Sequence, residues 1–102
     1  MQYVALFFGG VFFANALPHL VAGVSGVPLQ TPFASPPFRG LSSPVVNVLW
    51  SLVNLGVAYV LAVRLAGVGS DVDLGVAFGG FAAGALLLAR AFARVRADNP
   101  QP

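Results

Sequence analysis

Asn15 and His19 stand four residues apart in the stretch ANALPHLVAG, residues 14 to 23, with Pro18 between them. That spacing puts both side chains on one face of a helix. A second set, Asn47, Trp50, Ser51 and Asn54, follows the i, i+3, i+4, i+7 pattern of one helix face. Carboxamides, a hydroxyl, an indole and an imidazole can hold a small polar solute by hydrogen bonds. Acid–base or nucleophilic catalysis needs titratable groups within reach of one another, and this set offers only His19, the chain's single histidine. His19 is also the only one of these groups able to change charge near neutral pH. One histidine and no cysteine cannot complete a metal or haem site within one chain. No catalytic residue, metal or cofactor is therefore expected, and the chain is not expected to be an enzyme.

The surroundings of these residues are unusual for polar chemistry. The chain has 102 residues, of which 58% are hydrophobic and 8% charged, and its mean hydropathy is +0.87. Soluble domains are about a quarter charged, so a water-facing surface cannot be assembled here. Lysine and glutamate are absent, and the charges are Arg39, Arg64, Arg90, Arg94, Arg96, Asp71, Asp73 and Asp98. Five scattered arginines make no patch able to neutralise the several phosphates that nucleic-acid binding requires.

A helix crosses the ~30 Å hydrocarbon layer with about 20 apolar residues. Three stretches qualify: about 3–22, 44–64 and 73–92. Their apolar runs are continuous rather than alternating, which favours helices over barrel strands. The expected fold is all-α: one transmembrane domain over residues 1–102 with three spans and a short polar tail at 97–102. Ser43 before Pro44 reads as an N-cap with proline at the first helical position. Ser70, Asp71 and Asp73 offer oxygens to the open N–H groups of the third helix; the Asp-x-Asp pair could instead hold a cation. Placing the C-terminus in the cytoplasm leaves only Arg64 outside, so a multi-pass protein of the cell membrane, N-terminus out, is expected. Residues 14–17 resemble a signal-peptidase site, but no positive region precedes them, and the first span is expected to be retained.

If the first two helices are antiparallel, His19 lies level with Asn47 and Ser51, and Asn15 with Ser51 and Asn54. An amide buried in hydrocarbon without a partner costs several kcal/mol, so these groups should face each other or a wet cavity. Pro18 adds a loosened carbonyl at Ala14. Two readings stand: interhelical glue, or a solvated pocket lined by Asn15, His19, Asn47, Trp50, Ser51 and Asn54.

The connector 23–43 is not an ordinary linker. With Pro44 it holds five of the eight prolines and repeats Pro-Phe at 32–33 and 37–38. Loops this long are functional or disordered, and disorder goes with polarity and charge, whereas this loop carries Val27, Leu29, Phe33, Phe38 and Leu41. It is expected to form a re-entrant or lid-like cap, with Arg39 facing an anionic ligand or a lipid phosphate.

The third span carries two Gly-x-x-x-Gly pairs, Gly75/Gly79 and Gly80/Gly84, and the second an Ala58, Ala62, Ala66 ridge. Small residues let helices approach closely in lipid. Two glycine faces on one helix suggest a partner beyond this chain, either a second copy or a larger membrane complex. No carboxylate sits at mid-span, so proton-driven transport through one is not supported. The surviving classes are a homo-oligomeric channel, carrier or binding protein for a small neutral or anionic solute, and a non-catalytic accessory subunit.

Overall fold

The computed structural model describes residues 1–98. Three helices dominate: α1 (Gln2–Val24), α2 (Pro44–Tyr59) and α3 (Asp71–Asp98). A π-helical segment, Val60–Ala66, continues α2, and two short strands, β1 (Leu29–Gln30) and β2 (Leu41–Ser42), lie in the connector. Among the described residues, all three helical stretches are long and apolar enough to cross a membrane, the second taken as Pro44–Ala66.

The helix ends follow local chemistry. α1 passes through Pro18 without a break and stops where Gly26 takes a positive φ of 73°. There the Val27 N–H reaches the Ala22 carbonyl at 2.8 Å and the Gly26 N–H reaches Gly23 at 3.1 Å. This crossed pair satisfies carbonyls that a helix end leaves open. Ser43 caps α2, its hydroxyl accepting from the Val46 N–H at 3.2 Å, with Pro44 in the first turn. Ser70 caps α3 by accepting from the Asp73 N–H at 3.1 Å, and the Asp73 carboxylate accepts from the Gly69 N–H at 2.9 Å. Asp73 is thus buried and committed to the helix start, and Gln2 donates to its other oxygen at 3.4 Å. Among the described residues no group of three or more His, Cys, Asp or Glu side chains forms.

Three boundaries differ from the sequence reading. The second helix changes to π-helix at Val60, and Gly67 closes it with a bond from its N–H to the Ala62 carbonyl at 3.0 Å. α3 runs to Asp98, because Ala and Arg beyond residue 92 are good helix formers even where the apolar run ends. Its 28 residues span about 42 Å, longer than a bilayer core. Ala97 and Asp98 therefore close a helix rather than open a tail; the remainder of the expected tail, 99–102, lies outside the described residues.

α1 is the central helix. α2 packs on one side and α3 on the other, while α2 and α3 hardly touch. The connector is a pinned loop. Leu29 pairs with Ser42 and Gln30 with Leu41, antiparallel. Thr31 is its hub: its hydroxyl bonds Ser42 and accepts from the Phe33 N–H, and its carbonyl accepts from the N–H groups of Ala34 and Phe38. The Ser35–Pro36 bond is cis.

The core is inverted relative to a soluble protein. Among the described residues the buried apolar side chains are Leu6 and four alanines, while His19, Thr31, Ser42, Asn47, Ser51, Asn54 and Asp73 are buried. On α2 the buried residues are Asn47, Ser51, Asn54 and Ala58, and Val45, Leu49, Leu52 and Val53 face outward.

Candidate functional site: a cavity beside His19

Two hydrogen-bonded rungs join α1 to α2. His19 Nδ1 lies 2.7 Å from Asn47 Oδ1, and Asn15 Nδ2 donates to Asn54 Oδ1 at 2.9 Å. Each rung is anchored behind. Asn47 Nδ2 lies 3.2, 3.1 and 3.0 Å from the carbonyls of Leu29, Ser42 and Ser43, so one buried amide ties the connector to α2. Asn54 Nδ2 donates to the Trp50 carbonyl at 2.8 Å. No buried side-chain nitrogen or oxygen among the described residues lacks a partner.

Beside the rungs lies a cavity of about 180 Å³. By this measure a cavity needs only about 10–15 Å³ to admit one water, so a small organic molecule fits. Asn15 and His19 line it from α1, Trp50 from α2, and Leu88 and Phe92 from α3; Gln30, Thr31 and Phe38 form its roof. A second hollow of about 230 Å³ shares Asn15, Trp50 and Leu88 and extends towards Asn54 and Gly84. The roof is pinned to α2 by Asn47 and by Phe33, whose ring meets Trp50 edge-on at 5.2 Å. On the α3 side the fastening is the exposed Arg39–Asp98 ion pair, 3.1 Å. A larger apolar groove of about 700 Å³ near Gly9, Tyr59 and Phe78 lies away from this cluster.

The structure therefore brings Asn15, His19, Asn47 and Asn54 together and sets Trp50 on the cavity wall. Ser51 is buried beside them, but its hydroxyl donates to the Val48 carbonyl of its own helix at 2.6 Å and does not line the cavity. Arg39 stands apart: its guanidinium is paired with Asp98, not turned to the cavity. Sequence reasoning missed Gln30, Thr31 and Phe92. Gln30 and Thr31 had a signal, as consecutive polar residues inside an apolar loop; Phe92 had none.

Of the glycines, Gly80 and Gly84 lie on α3 against α1, where an added Cβ at Gly80 would collide with the Phe7 carbonyl and one at Gly84 would come within 3.2 Å of Val11. Gly75 and Gly79 have nothing within 4 Å of an added Cβ.

Comparison with known proteins gave no match: no family model fits the chain, and neither a curated protein nor a solved structure is significantly similar.

Proposed function

We propose that this chain is a multi-pass protein of the cell membrane that binds, and in a homo-oligomer passes or carries, a small polar solute at the lidded cavity beside His19. The inverted α2 helix supports the membrane setting, because apolar side chains turned outward and carboxamides turned inward suit lipid and not water. The ends of the helices support the N-out orientation: Arg39 pairs with Asp98 at the arginine-rich end of α3, while Gln2 meets Asp73 at the opposite end. The observation that carries the reading is the cavity itself. Rungs that served only as glue would close upon each other, whereas Asn15 and His19 both also face a space large enough for a ligand.

Trp50, the chain's only tryptophan, lines that space and reports on it. In lipid nanodiscs, acetamide should shift Trp50 emission saturably. Ala91→Phe, which fills the cavity from α3, should abolish the shift while leaving the helix content unchanged. An emission unchanged by acetamide, or changed equally in the filled variant, contradicts the reading.

A second reading is an accessory subunit. The uncovered Gly75/Gly79 face favours it, since glycine on an outward helix face leaves room for a close-packed partner helix. Gly79→Leu should then lower the mass of the detergent-solubilised particle without unfolding the chain.

A further inference from the structure

We infer that the solute at this cavity is a neutral molecule that donates hydrogen bonds, received by His19 Nε2 and Asn15 Oδ1. The inference rests on the binding reading above and deepens it.

The direction of each hydrogen bond is fixed by its partners. Three backbone carbonyls converge on Asn47 Nδ2. A carbonyl only accepts, so the atom among them must be the amide nitrogen and the amide cannot be flipped. Asn47 Oδ1 is therefore the atom facing His19 Nδ1. An amide oxygen only accepts, so Nδ1 carries a proton, and in neutral imidazole the lone pair is then on Nε2. The second rung resolves in the same way. The Trp50 carbonyl fixes Asn54 Nδ2, so Asn54 Oδ1 accepts and Asn15 must donate through Nδ2. Asn15 Oδ1 remains. Both residues line the cavity, and both leave it an acceptor.

Charge sharpens the class. Among the described residues no Arg, Asp or other charged side chain lines the cavity, and Arg39 is held by Asp98 outside it. An anion would meet two lone pairs with no counter-charge, and a cation would have no carboxylate; a buried charge without a partner is strongly disfavoured. Gln30 on the roof can answer with either end of its amide, so a molecule carrying N–H or O–H donors and one acceptor, such as a simple amide, fits best.

Two measurements test this. The single histidine gives one set of ring signals, and its ¹⁵N spectrum in nanodiscs should show Nδ1 protonated and Nε2 bare at neutral pH. A ring protonated at Nε2 instead overturns the assignment, whatever binds. Three probes of nearly equal shape then separate the chemistries by Trp50 emission: acetamide, which donates; acetate, which is anionic; and methyl acetate, which only accepts. Acetamide should bind at least about tenfold more tightly than either, because a site built around hydrogen-bond partners rejects analogues that leave them unmet. Acetate or methyl acetate binding as well as acetamide overturns the inference and leaves the cavity as a binding site. No saturable response to any of the three overturns the binding reading as well.

Discussion

α1 meets its two neighbours by different means. Towards α2 the contact is polar: the His19–Asn47 and Asn15–Asn54 rungs, with the connector drawn in behind Asn47. Towards α3 it is glycine against backbone, with Gly10 on Ala77, Gly80 on Phe7 and Gly84 on Val11, and a tilted Phe13–Phe81 ring pair 5.8 Å apart. The side-chain hydrogen bond between α1 and α3, Gln2 to Asp73, sits at the end of that seam. In lipid, apolar burial gives helices no reason to associate, and close packing or hydrogen bonding must supply it. The α3 side relies on close packing, whereas the α2 side adds hydrogen bonds to close packing of its own, with Gly9 on Ala62 and Gly23 on Pro44 and Val48. The dry seam should be sensitive chiefly to volume, and the polar rungs chiefly to loss of their hydrogen-bonding groups.

Volume on the dry side gives the largest expected effect. A Cβ at Gly80 or Gly10 would overlap a carbonyl, and overpacking of this kind costs about 1–3 kcal/mol or more. Gly80→Val should separate α3 from α1, read as loss of the cooperative unfolding transition in detergent. Chemistry on the polar side comes next. Asn47→Leu keeps the volume but strands the groups that this amide satisfies, each worth about 1–3 kcal/mol when buried and unpaired. It should destabilise the chain by about 3 kcal/mol and free the connector, measured by denaturation and by proteolysis between residues 25 and 43. For Asn15 and Asn54 a double-mutant cycle with leucine should return a coupling of about 0.6–2 kcal/mol; zero coupling would mean that the rung does not form in the membrane. Arg39→Gln comes lower, since a half-exposed ion pair contributes under about 1 kcal/mol and is screened by salt. Gly79→Leu should leave the fold of the single chain within about 0.5 kcal/mol, because that face is open.

The contrast also explains what could be read from the sequence. Helix existence, the Ser43–Pro44 and Ser70 caps, and the two polar faces depend on residues near one another in the chain, and they were legible. Which glycine pair α1 uses was not: Gly75/Gly79 and Gly80/Gly84 have the same spacing, and only the approach of Phe7 and Val11 separates them. The π-helical turn over Val60–Ala66 had no local mark either, since VLAVRLA holds no proline or glycine; in that segment Ala62 meets Gly9, an added Cβ there lying 3.0 Å from it. The connector's strands are two residues each, too short for any periodicity to show. Arg39 was read towards an anion because its partner Asp98 lies 59 positions away.

Neighbouring positions on α1 offer the most direct test, because they look into opposite seams. Asn15 faces Asn54 and the cavity; Ala14 is buried against α3, close to Gly84. The chain has no cysteine, so Asn15→Cys and Ala14→Cys can each be probed alone in liposomes with a small water-soluble thiol reagent. Asn15→Cys should react, while Ala14→Cys stays silent. Equal reactivity at the two positions, or silence at both, would contradict a hydrated seam between α1 and α2.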